Sequence, residues 1–360
     1  MKRWQSLLLG IVVSVITLVI ALYGTDLSRL GGVLTTGHYL WIVPMLALIV
    51  LGLYLRALRW RVLLNDGIER QHSFNILNAS YLFNNLLPLR AGEVVRVYLA
   101  TRLTSPVPIL TSGSSIVVER LTDLLSMGVL VALALVVAPT PPDMPREIIA
   151  AVRGGAVIGI LGAVLLVLIA SRRSLAHRLL DMLLKRLPAL ERLNLRALVD
   201  NVLDGIAPLA SGKGLAQVIL WTALAWAVSV IQTYILLYVF YPQPTWDAAL
   251  LMVPISSLAV ALPALPASVG PFEFAMTTAI RISSLDPGKD ATRALAAGVV
   301  LHIAVTAMYA FMGVLSVSAE HITIQEILRS AQTFAGNLRR RDARTPEPIP
   351  GRDARPLNRR

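Results

Sequence analysis

Asn84-Asn85-Leu86-Leu87-Pro88-Leu89-Arg90-Ala91-Gly92-Glu93-Val94-Val95-Arg96-Val97-Tyr98 is a helix that stops and restarts inside apolar sequence. An approach from Phe74 to Phe83 runs into two amides and then Pro88, which has no N–H to continue the helical ladder. Beyond Gly92 a second helical stretch carries Glu93 and Arg96, with Arg90 in the turn before it. Inside a bilayer, irregular backbone and ionisable groups persist only where protein or a hydrated cavity receives them. Transporters build binding sites from such half-helix ends.

The rest of the chain shows that this stretch does lie among membrane spans. Of 360 residues, 56% are hydrophobic and 15% charged, and the mean hydropathy is +0.68. Soluble domains carry nearer a quarter charged residues, so the composition is that of an all-α polytopic membrane protein. The absence of cysteine excludes disulfides and thiolate metal sites. The net charge of +12 sits in short loops and tails beside apolar runs. That placement fits orientation and contact with anionic lipid rather than nucleic acid. The apolar run from Leu7 to Leu22 after Lys2 and Arg3 is too long for a usual signal core and is read as a retained span.

Spans of about 20 residues are predicted at 5–23, 39–55, 114–138, 150–170, 215–240 and 293–318. Between them come a linker with Asp26 and Arg29, a basic loop with Arg56, Arg59, Arg61 and Arg70, and a Pro-rich linker at 139–145. Residues 171–213 read as an amphipathic cytoplasmic connector, with leucines at helical spacing among its basic residues. The tail 321–360 is basic and polar. Basic segments favour the cytoplasm. Placing both termini, the 56–72 loop and 171–213 there works only if 73–103 enters and leaves on the cytoplasmic side. By the same parity, 246–284 enters and leaves from outside. The expected architecture is therefore about six full spans plus two opposed re-entrant hairpins.

This assignment exposes an inverted repeat: span, span, hairpin, span over 5–138 recurs over 150–318 within a transmembrane domain of residues 1–320. The second hairpin repeats the break, with Pro266 and Gly270 at the spacing of Pro88 and Gly92, and Glu273 following as Glu93 does.

Arg90, Arg96, Arg120 and Arg281 stand at predicted membrane depth against Glu93, Glu119, Asp123 and Glu273. On insertion scales each costs about 2.5–3.5 kcal/mol at the bilayer centre. Two readings stay open: buried ion pairs that hold helices together, or contacts to a headgroup. Glu93 and Arg96 are spaced to pair within one helix, and Glu119 and Asp123 share a face. Arg90, between Pro88 and Gly92, has a planar fork able to grip a phosphate bidentately. Asn85, Arg90, Glu93, Arg96, Arg120 and Glu273 are the candidate substrate contacts, with Glu119 and Asp123 as structural or coupling charges. Glu93 and Glu273 serve as pairing partners or proton carriers. Asn84 and Asn85 cap the broken end or touch ligand. His302 reads as a packed interior histidine, and Trp41, Trp60 and Trp246 as interfacial anchors. No nucleophile–base motif or metal-ligand spacing is present, so no catalytic residue, metal or cofactor is expected.

Asn85-Leu86-Leu87-Pro88 with Arg90, Gly92-Glu93 and Arg96, then Glu119-Arg120 with Asp123, then Pro266 through Gly270-Pro271-Phe272-Glu273, together resemble the flippase-like transmembrane region of lysylphosphatidylglycerol synthases. The resemblance covers roughly residues 5–320. It implies translocation or presentation of a lipid, phospholipid or polyprenyl-linked, with a charged or glycosylated headgroup. It also implies a multi-pass protein of the cell membrane and leaves room for association with a separate lipid-modifying enzyme. The family includes stand-alone membrane proteins, some linked to archaeal glycolipid assembly. This chain departs from full-length synthases in carrying no soluble aminoacyl-transfer domain, so lysyl transfer is not expected. Its second hairpin also has a less glycine-rich turn than the family pattern. A membrane glycosyl- or lipid-transferase is the alternative function; a scaffold that binds partners through the basic tail is a third.

Overall fold

The computed structural model describes residues 3–87, 91–137, 173–186, 207–260, 266–286 and 290–320, with positions 195, 196, 199, 200, 203 and 326. Pro88 and Arg90, the expected span at 150–170, most of the connector beyond Arg186 and nearly all of the tail lie outside the described residues.

The described elements are helical: α1 Arg3–Leu22, α2 Leu27–Thr35, α3 Ile42–Leu63, α4 Arg70–Leu86, α5 Gly92–Ala100, α6 Ile109–Val137, α7 Arg173–Arg186, α8 Gly212–Leu237, α9 Trp246–Val260, α10 Pro271–Ile282 and α11 Ala291–Ala319. Four are long and apolar enough to cross a membrane: α3 with its leading turn from Tyr39, α6, α8 and α11. A fifth span is available if the bent pair α1–α2 counts as one. The expected linker with Asp26 and Arg29 is in fact mostly the short helix α2, turned 80° from α1. It forms because the Asp26 carboxylate accepts the Ser28 and Arg29 N–H groups, which would otherwise lack partners at a helix start. The Asp26 N–H in turn donates to the Thr292 hydroxyl at 3.0 Å, tying this bend to the start of α11.

The expected basic loop at 56–72 is corrected: α3 runs on to Leu63, so Arg56, Arg59 and Arg61 are helical. The first charges did not end the helix because Leu55, Ala57, Trp60, Val62 and Leu63 keep burying its inner face. Arg59, 1% exposed, is buried with them.

Each broken segment folds back on itself. α5 runs beside α4, and Val95 and Leu99 pack with Ile76, Ala79 and Phe83 in one apolar cluster around Trp60. α9 and α10 pair likewise, and their open ends are joined where Ser284 donates from N–H and hydroxyl to the Asp247 carboxylate at 2.7 and 2.8 Å.

Elements early and late in the chain pack against one another. α3 lies along α8. α4, the first helix of the first hairpin, lies along α11; α9, the first helix of the second, lies along α6. Each of these paired-helix segments thus rests on a long apolar helix distant from it in sequence.

Candidate functional site

Six charged side chains from α3, α5 and α6 meet beside the first hairpin. Arg59 reaches Asp123 at 2.7 Å and Glu119 at 3.4 Å. Arg96 reaches the other oxygen of Glu119 at 2.7 Å. Arg120 lies 3.1 Å from Glu119, 3.6 Å from Asp123 and 3.6 Å from Glu93. Three guanidiniums against three carboxylates leave the cluster formally neutral, as a low-dielectric interior requires. The spacing of Glu119 and Asp123, one helical turn, lets a single fork from Arg59 hold both. The Arg96 guanidinium also lies 4.1 Å over the Trp60 ring, whose indole N–H donates to the Ser115 hydroxyl.

Exposure divides this cluster. The side chains of Arg59, Arg96 and Glu119 are at most 2% exposed, whereas Arg120 and Glu93 are 35% and 29% exposed. Arg120 and Glu93 are therefore the partly exposed members of an otherwise closed ionic core, although the Nε and Oε1 atoms that meet are themselves buried.

The tip of the first hairpin adjoins this cluster at Gly92, and the second tip lies apart from it, against α4 and α11. At the first, the Asn84 side-chain oxygen accepts the Gly92 N–H at 2.9 Å, capping the start of α5 from the end of α4. A Cβ on Gly92 would fall 2.0 Å from the Ser80 carbonyl oxygen, so only glycine permits this close return. Asn85 points the other way, its amide 3.5 Å from the Thr306 carbonyl on α11.

At the second, a single turn at Pro266–Ser268 places Ala267 and Ser268 in the left-handed region, at φ 58° and 60°. Gly270 follows at φ 97° and donates its N–H to Glu273 at 2.7 Å, with Pro271 opening α10. The turn packs against α4. His302 of α11 meets it, with Nε2 2.8 Å from the Ala267 carbonyl and Nδ1 2.5 Å from the Glu273 carboxylate. Both tips thus abut one stretch of α11, at His302 and Thr306.

The structure brings Glu93, Arg96, Glu119, Arg120 and Asp123 together; Arg96 to Glu119 and Arg120 to Glu93 join different helices, while Arg120 also pairs with Glu119 and Asp123 within α6. Glu273 sits apart from these, bonded to His302, and Asn85 faces α11. The helix-break residues Gly92, Pro266 and Gly270 stand at the tips, while Pro88 and Arg90 lie outside the described residues. Arg281, counted among the deep charges, is exposed at the end of α10. Its place in the balance is taken by Arg59, which the basic-loop reading concealed. Trp60 is no interfacial anchor: it is wholly buried, because Arg96 covers its face and Ser115 satisfies its N–H. Trp41 and Trp246 remain 41% and 46% exposed. His302 is interior, as read, but has a carboxylate partner 29 residues away in sequence.

Residues 7–313 match the family described as the lysylphosphatidylglycerol synthase TM region. A UPF0104 membrane protein of Methanothermobacter thermautotrophicus is 25% identical over 249 residues, covering 66% of this chain and 72% of that protein. No solved structure matches.

Proposed function

Because this chain belongs to the membrane-protein family of the lysylphosphatidylglycerol synthase TM region, we propose that it moves, or presents for modification, a lipid with a charged or glycosylated headgroup. The observation that carries this reading is the ionic core with two partly exposed members, Arg120 and Glu93, beside the break between α4 and α5. A headgroup has to cross about 30 Å of hydrocarbon while its tails stay in lipid. A balanced ionic cluster offers it replacement partners for water at no net cost in charge. Arg120, partly exposed, takes the phosphate; Arg90, three residues before Glu93 in the sequence, is assigned the same role on its position in the turn. Asn85, Glu93, Arg96 and Glu273 complete the proposed substrate surface, with Glu119 and Asp123 holding the arginines in place.

The packing of α4 on α11 and of α9 on α6 supports an inverted repeat with re-entrant hairpins from opposite faces. Rocking one half against the other would expose the cluster to each leaflet in turn. In this reading the protein lies in the cell membrane with both termini cytoplasmic. Its basic cytoplasmic faces contact anionic lipid, and a separate lipid-modifying enzyme uses the presented headgroup.

The test is reconstitution into vesicles that carry tail-labelled fluorescent lipids with anionic, zwitterionic or glycosylated headgroups, read by quenching of the outer leaflet. Protein-dependent loss of protection for one headgroup class, abolished by Arg120→Ala, is the expected result. Unchanged sidedness for every class would reject translocation.

A further inference from the structure

We propose that Ala267, His302 and Glu273 form a proton-binding site that docks the tip of the second hairpin on α11. Its basis is a count of donors and acceptors. His302 Nε2 faces the Ala267 carbonyl at 2.8 Å, and Nδ1 faces a Glu273 oxygen at 2.5 Å. A carbonyl can only accept, and an ionised carboxylate can only accept. Both contacts therefore hold together only if the pair carries one proton more than a neutral imidazole beside a carboxylate. That proton lies on Nδ1 or on the facing oxygen.

The surroundings hold the ring in this pose. His302 and Glu273 are 8% and 6% exposed, and the Phe272 ring stacks on the imidazole at 4.5 Å. The second Glu273 oxygen is already committed to the Gly270 N–H. Ser14 and Thr17 of α1 lie against Gly270, and Asn85 of α4 bonds to Thr306, one turn along α11. Among the described residues, Glu273 is thus the titratable group that His302 faces, and no other charge lies within ion-pair distance of it.

Loss of the proton acts on one contact. The remaining ring proton stays on Nδ1, where its bond to a carboxylate is charge-assisted and the stronger of the two. Nε2 then presents a lone pair to the Ala267 carbonyl, and acceptor faces acceptor in a buried site. Ala267 and Ser268 are already in the left-handed region at φ 58° and 60°, which for residues other than glycine is held by the surroundings. Releasing Ala267 removes one of those constraints, so the tip leaves α11. The tip is docked when the proton is bound and free when it is lost.

The sequence contains no cysteine, so a single nitroxide can be placed on Val269→Cys, a position 40% exposed at the tip. In phosphatidylcholine vesicles the label should be immobilised at the acid end of a pH series. A mobile component should grow several-fold as pH rises. Glu273→Gln separates this site from a merely structural contact. Its amide can donate to Nδ1 and accept from Gly270 while a neutral ring donates to Ala267, so every bond is kept without the extra proton. That variant should stay immobilised at all pH, and His302→Phe should be mobile at all pH. A flat profile in the parent, or a Glu273→Gln profile that titrates like the parent, overturns the proposal. Should either variant not fold, nitrogen and carbon NMR of the otherwise unaltered protein gives the answer directly. A protonation step at His302 Nδ1 or the Glu273 carboxyl that coincides with tip release supports the site, and no step at either group rejects it. Both readouts need no lipid movement, so their failure leaves the lipid reading standing, and the reverse holds too.

Discussion

Arg96 and Glu119 meet at 2.7 Å with side chains 2% and 1% exposed, joining the returning helix of the first hairpin to α6. Glu119 also receives Arg59 and Arg120, so this one carboxylate contacts all three guanidiniums of the cluster. Breaking a buried pair costs about 3–5 kcal/mol, because the partner is left charged without compensation. Glu119→Ala should therefore lower thermal stability by at least that much, measured in detergent by fluorescence-detected size exclusion. Glu119→Leu combined with Arg96→Met should recover part of the loss, since it removes both ends of one pair. A single Glu119→Ala with parental melting would show that the cluster does not hold the helices.

The two glycine-and-amide contacts at the first break predict unequal effects. Asn84→Ala removes one hydrogen bond to Gly92, a loss of about 1 kcal/mol that leaves a folded protein. Gly92→Ala drives a methyl to within 2.0 Å of the Ser80 carbonyl oxygen and should separate α4 from α5. Expression and monodispersity should fall for the glycine variant and persist for the asparagine variant. Equal behaviour of the two would contradict the close return.

Arg90 and Arg120 are expected to differ from Arg59 in what their loss affects. Arg90→Lys keeps the charge and discards the planar fork, so lipid movement should fall at least several-fold while expression stays normal. Arg120→Lys, at a partly exposed member of the cluster, should behave alike. Arg59→Lys cannot hold Asp123 and Glu119 together in the same geometry and should cost stability first. The check is translocation and melting measured side by side on the three variants.

Single cysteines at Thr104, Ser174 and Ser330 should all resist an impermeant thiol reagent in intact cells and react after lysis. Thr104 follows α5, so its side of the membrane decides whether α4 and α5 return to the face they entered from. Labelling of Ser174 without Thr104 would exclude a hairpin from the cytoplasmic side.

Much of this molecule is written locally. The breaks at Asn84–Gly92 and Pro266–Gly270 are visible because proline lacks a donor and glycine tolerates close or left-handed backbone, properties that need no neighbours. The long apolar runs around α3, α6, α8 and α11 are likewise legible, since hydropathy over about 20 residues is a property of the chain itself. Partner choice was not. Arg59 looked like a loop cation until α3 continued past it and turned it toward Asp123 on α6. Trp60 looked interfacial until Arg96, from another helix, covered its face. His302 had no ligand at helical spacing, because Glu273 comes to it from α10 and the Ala267 carbonyl from the turn before. Which charges face each other depends on the rotation and depth of whole helices, and these are decided by packing between segments far apart in sequence.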